Sequence, residues 1–252
     1  MAGRLKPVVV VFIVLFSFLQ FNCGSTAVYR LSSIDGEPVW DYGWEVVGKK
    51  NNAGEAHISF VEAKDGYFVF LLNYENRTEK PVLLDPGEIY YEVFRDSIPR
   101  HPGMVQRTYA VDPELELAGI EKKSSSLDAS ERSRLGLSAI VSTIDVVGSV
   151  VSIGTKRSSK ELKKQEKERE ERMIADENAK ISYENDKATL AGEKDYWMND
   201  VLRKVTVFPG EKEGGYFHVS IRRNADFIRL IIPVGGNLYS FDYRQYEVKS
   251  LR

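Results

Sequence analysis

The chain has little sulfur or imidazole chemistry to offer. Its single cysteine, Cys23, rules out an intramolecular disulfide, so stability must come from packing. His57, His101 and His218 are its only histidines, and no two stand at the short spacing a zinc site needs. No metal or cofactor is expected on that basis. Phosphate loops are missing too, since Gly214-Gly215 and Gly235-Gly236 do not open helical patterns. Asp85-Pro86-Gly87-Glu88 lacks the alternating oxygen ligands of a calcium loop and reads as a turn. An excess of charge of one sign is also lacking: 35 basic residues face 37 acidic ones, which argues against nucleic acid as a partner. Asn76-Arg77-Thr78 matches a glycosylation sequon, which has no force in a bacterial export route.

Long apolar runs are scarce, and the clearest stands at the start. Arg4 and Lys6 precede Val8–Phe21, 14 residues without a charge, and Cys23 follows directly. As a helix that run is about 21 Å long, short of the ~30 Å hydrocarbon core of a bilayer. A cleaved leader fits better than a spanning helix. Leu19-Gln20-Phe21-Asn22-Cys23-Gly24 resembles the signal of a bacterial lipoprotein, in which the cysteine receives a diacylglyceryl group before cleavage. The resemblance departs from the usual box at Gln20 and Asn22, where a Leu-like and a small residue are the norm. Ordinary cleavage after Ser25-Thr26-Ala27, or an uncleaved anchor, is the competing reading. Starting from Cys23, the chain sheds Arg4 and Lys6 and keeps 33 basic against 37 acidic residues. Acyl chains on Cys23 would suffice for stable membrane attachment. Gly24 is no inner-membrane retention signal, which favours the outer membrane over the inner by analogy.

Composition then divides the chain into a leader (1–22), a β-rich part (23–110), a helical insertion (111–200) and further strands (201–252). Ala56–Glu62 and Tyr67–Asn76 are strands joined by a turn ending in Asp65-Gly66. Phe68, Phe70, Leu72 and Tyr74 share one face, while Tyr67, Val69 and Leu71 load the other, so this strand is central. Val82–Leu84, Ile89–Phe94, Val201–Phe208, Tyr216–Ile221, Phe227–Pro233 and Leu238–Tyr243 follow the same grammar, with Pro209-Gly210 suited to a type II turn. Short strands at this spacing predict an α+β chain: an antiparallel immunoglobulin-like β-sandwich with a long helical insertion. Trp40 and Trp44 flank Tyr42 near the anchor as core or interface aromatics.

Leu202–Gly210, Gly215, Ile232-Pro233-Val234-Gly235-Gly236 and Tyr109–Glu114 resemble segments of uncharacterised bacterial lipoproteins that pair a signal cysteine with a β-sandwich interrupted by helix. The resemblance covers most of residues 60–245 and implies a fold and an anchor. It implies no activity.

Inside the insertion, Asp112-Pro113-Glu114 has the chemistry of a helix start. Ser124-Ser125-Ser126 is expected to interrupt that helix, with a second starting near Ser130. From Leu135 to Gly154, the residues Leu137, Ile140, Ile144, Val147 and Val151 form one apolar seam, opposite a stripe of Ser138, Ser142, Asp145, Ser149 and Ser152. The mid-segment Asp145 costs about 2.5–3.5 kcal/mol in a bilayer, so a buried helix is preferred to a spanning one. A membrane-contacting or self-associating helix is the rival. Thr155–Arg172 carries eight basic and five acidic residues and reads as a solvated helix, or as one lying on anionic lipid heads. Met173–Trp197 returns the chain to the strands, with Tyr196-Trp197 as an aromatic plug.

These features predict a non-enzymatic, lipid-anchored envelope protein, a binding or scaffold module with a protein partner or self-association. The alternative is an envelope component that uses helix 135–154 against a membrane or a second copy. An enzyme or carrier built from scattered Asp, Glu and Tyr ranks last.

Overall fold

A computed structural model describes residues 28–36, 38–99, 105–151 and 159–248, without the side chains of 141–151, 159, 161 and 162. The chain is mixed α+β, with two antiparallel sheets and two long helices. The leader, Cys23 and His101 lie outside the described residues.

The strands are β1 (Val28–Ser33), β2 (Val39–Asp41), β3 (Trp44–Asn51), β4 (Gly54–Lys64), β5 (Tyr67–Asn76), β6 (Val82–Leu84), β7 (Tyr90–Phe94) and β8 (Arg107–Tyr109), then β9 (Val205–Val207), β10 (Lys212–Ser220), β11 (Phe227–Val234) and β12 (Asn237–Val248). Helices α1 (Pro113–Val151) and α2 (Ser159–Asn199) lie between β8 and β9. One sheet has the order β10-β5-β4-β3-β2. In the other, β1-β12-β11 continues through β6 to β9, while β7 pairs with β11 and β8.

Alternation decides which faces meet. Phe68, Phe70, Leu72 and Tyr74 of β5 are all buried, as are Tyr239, Phe241 and Tyr243 of β12. The two sheets join through these rings: Phe70 lies 5.6 Å from Tyr243, and Tyr74 lies 6.0 Å from Tyr239. Two of these hydroxyls are satisfied by backbone or side-chain oxygen, Tyr74 donating to Ala53 O at 2.6 Å and Tyr239 to Asn51 Oδ1 at 2.7 Å. Burial raises the pKa of both phenols and keeps them protonated donors.

Central strand β5 runs over the predicted residues, and Asp65-Gly66 forms its turn to β4, both with positive φ. Asp85-Pro86-Gly87-Glu88 is one 3₁₀ turn, Pro86–Glu88, capped by the Asp85 side chain on Gly87 N. The stretch Val201–Phe208 was expected as one strand but pairs regularly only over Val205–Val207. Val201 instead bridges to Tyr216 in parallel. Asn76, read as a sequon, is fully buried. Its amide donates to Lys80 O and Val207 O, and its Oδ1 accepts from Thr78 N, so it pins β5 to β9.

Candidate interaction surfaces

Helix α1 begins as its chemistry requires. Asp112 Oδ1 accepts from Glu114 N at 2.9 Å, and Pro113 opens the first turn. The expected break at Ser124-Ser125-Ser126 does not occur: α1 is continuous from Pro113 to Val151, and no second helix starts near Ser130. Serine lowers helix propensity only slightly, and no proline follows to enforce a stop. Ser130 and Ser133 donate to the carbonyls of Leu127 and Ala129, so their hydroxyls do not compete for the backbone amides.

Entry and exit of the helical pair are both stitched to β10, the edge strand of its sheet. Ala110 bridges Val219 and Val111 N donates to His218 O; on the return, Leu202 N donates to Tyr216 O. Part of the β10 edge, between Tyr216 and Val219, is thereby paired. Tyr196 and Trp197 close the joint, as their plug role predicts. Tyr196 stacks on Tyr216, its hydroxyl lies 3.1 Å from His218 Nε2, and Trp197 sits 4.9 Å from the His218 ring. Burial, helped by Lys64, drives the His218 pKa down to about 4, and its Nδ1 is buried without a partner. The same burial pushes Tyr196 up to about 12. This is a neutral aromatic joint whose every named group belongs to packing.

Beyond that joint the two helices meet through polar contacts. Lys194 pairs with Glu121 at 2.9 Å. Asp128 accepts from both Tyr183 and Lys187, at 2.8 and 2.6 Å. Asp176 takes Arg134 and Ser138, at 2.7 and 3.0 Å. These contacts lower the pKa of Asp128, chiefly through Lys187 and Tyr183, and that of Glu121 through Lys194. Among the described side chains of α1, the large aliphatic ones that are buried, Leu117 and Ile120, lie at its base.

The apolar seam predicted on α1 is therefore not core where its side chains are described. Leu137 is 66% and Ile140 59% exposed. At this level the described contacts between α1 and α2 are polar, Arg134 and Ser138 meeting Asp176. Ile144, Val147 and Val151 lie in α1, but their side chains are outside the described residues. Met173 and Ile174 of α2, also exposed, sit at the level of Ile140, since Arg134 and Ser138 meet Asp176. The solvated reading of the following charged segment holds for α2, exposed from Lys163 to Glu177. Among the described residues no helix is long and apolar enough to cross a membrane.

Two clefts among the described residues add to the surface. One lies between the helices over Ile120, Ser124, Lys187 and Leu190. The other, about 820 Å³, opens beside β12 and is lined by Arg95, Asp96, Asp226 and Arg244 among others. Its charges alternate in sign, which gives no net preference for an anion or a cation. Among the described residues no cluster of His, Cys, Asp or Glu could hold a metal ion. His57 lies on a strand surface against Glu55 Oε1 at 2.9 Å.

The ion-pair hub at Asp128 escaped sequence reading. Its signal was faint: positions 121, 128 and 134 on α1 rise as their partners 194, 187 and 176 on α2 fall, the reciprocal order of an antiparallel pair. Compared with protein-family models, curated proteins and solved structures, the chain matches none.

Proposed function

We propose that this is a lipid-anchored protein of the bacterial envelope, held by an acylated Cys23 and acting as a non-enzymatic binding or scaffold module. Its two sheets would form an immunoglobulin-like β-sandwich that serves as a rigid base, and the helical pair would be the contact element. The observation that carries this reading is the exposure of Leu135, Leu137 and Ile140 on a helix whose feet are firmly fixed. Apolar side chains left out of the core on a well-anchored helix mark a contact surface more often than a packing accident.

The experiment has two arms. Cys23→Ala should abolish acyl labelling and release the protein from membranes; retention without the label would remove the anchor. The double substitution Leu137→Lys and Ile140→Lys should leave the circular dichroism and melting of the protein unchanged and erase its crosslinks in intact cells. Unchanged crosslinks would remove the contact role from this face.

A second reading is self-association through the same face, favoured by Met173 and Ile174 standing exposed at the level of Ile140. Sedimentation of the unacylated chain over a range of concentrations checks it, a single monomeric species being the adverse result.

A further inference from the structure

Among the described residues, Tyr42 and Asp65 are the only non-glycines with positive φ, at 45° and 52°. Each is followed by a glycine that is also positive, Gly43 at 87° and Gly66 at 84°. The pairings Asp41 to Trp44 and Lys64 to Tyr67 make both into two-residue hairpin turns of one type. Aspartate accepts the left-handed region because its short side chain can bond locally. Tyrosine does not, since its Cβ crowds the carbonyl and the ring offers no local bond. Tyr42 is also 98% exposed, so nothing inside the protein offsets that cost. Val39 and Trp40 beside it are 69% and 65% exposed. A strained, solvent-facing aromatic tip is better explained by something outside the chain than by folding.

Position narrows what that something is. Glu45 of β3 accepts from Ser33 N at 2.9 Å, and Lys49 pairs with Asp35 at 2.8 Å. Strand β3 thus runs alongside β1 in the same direction, and the Tyr42-Gly43 turn lies level with the first half of β1. Cys23 precedes Val28 by five residues. Those residues span at most about 18 Å when extended. The end of the molecule that carries the aromatic tip is therefore the end an acylated Cys23 would hold at a bilayer.

The geometry points to the β2–β3 tip, Val39, Trp40 and Tyr42, as a second membrane contact that enters the lipid interface beside the anchor. This rests on the acylation of Cys23 proposed above. Tryptophan and tyrosine suit that depth, with an apolar ring body and a polar group for the headgroup layer. Such a contact would fix the orientation of the sheets on the surface, which attachment at one residue alone cannot do.

The test uses the full acylated chain in vesicles of phosphatidylethanolamine and phosphatidylglycerol, with and without bromine on the acyl chains. Mass spectrometry of the N-terminus and flotation establish acylation and membrane binding separately. Subtracting the Trp40→Phe signal isolates Trp40 from Trp44 and Trp197. The expected result is at least a two-fold bromolipid quenching of that Trp40 component, reduced in Tyr42→Asn, a variant compatible with positive φ. Acylated, floating protein whose Trp40 is not quenched overturns the inference while leaving the anchor intact. An unmodified cysteine overturns the anchor, and this contact with it.

Discussion

The sheets and the helical pair are held by opposite means. Where the sheets meet, rings pack on rings and every large side chain of β5's inner face is fully buried. Where the helices meet, above Leu117 and Ile120, carboxylates meet lysine, arginine and tyrosine at the surface. Buried apolar area contributes roughly 25 cal/mol per Å2, whereas exposed ion pairs contribute little each. The sheets can thus hold their own shape, while the outer part of the helical pair is held weakly and keeps apolar residues free. Such a division suits a rigid base carrying an adaptable contact element.

The sharpest way to break the comparison is to truncate one apolar side chain in each region. Phe70 is fully buried, stacked on Phe217 at 5.3 Å and touching Phe60 and Tyr243. Phe70→Ala should cost about 3–5 kcal/mol in denaturant unfolding. Leu137→Ala, on the exposed helix face, should change stability by no more than about 0.5 kcal/mol. Equal costs would show that the helical pair shares one cooperative core with the sheets.

How much of this was legible follows from the same contrast. Alternation at period two identified β5, the Asp65-Gly66 turn and the strands after Pro209, because a strand apolar on both faces has few alternatives. The aromatic plug at Tyr196-Trp197 was visible for a similar reason: large rings next to a strand-rich segment need cover. The α1 seam misled, because periodicity reports that a face is apolar and not what lies against it. Leu137 and Ile140 have the spacing of a core face, yet both stay exposed beside α2. The uninterrupted α1 was missed because three serines look like a break until their cost, small per residue, is set against a 39-residue helix. Ion pairs such as Asp128 with Lys187 join residues 59 apart in a segment crowded with both charges. Nothing local distinguishes the right partner.

The joint between the two regions supplies the next test. His218 has a folded-state pKa of about 4 against an ordinary 6.5, so the unfolded chain binds the proton more tightly. Above pH 6.5 both states are neutral and the joint contributes fully; as pH falls from 6.5 towards 4 that contribution is lost. Allowing for partial solvent access, the loss should be on the order of 1–2 kcal/mol. His218→Phe keeps a ring against Trp197 and removes the titration. Its stability relative to wild type should therefore rise across that window, measured as the difference between two urea titrations. Parallel pH profiles for the two proteins would show that the imidazole is solvated enough to charge at no cost.

The smallest effect is expected at the hub between the helices, and it discriminates between the two modes of cohesion most directly. Asp128 is shared by Tyr183 and Lys187, and the same pairing depresses its pKa. Its neighbours are open to water, so salt screens the attraction within a Debye length of about 8–10 Å. Asp128→Asn keeps a hydrogen-bond acceptor for Tyr183 and removes only the charge. Global unfolding should stay where it is, because the sheets set it. Amide exchange in α2 around Lys187 should accelerate, and added salt should bring the wild type to the same rate. If salt leaves wild-type exchange untouched, then the helices are held by apolar contact after all, and the contrast with the sheets is one of degree.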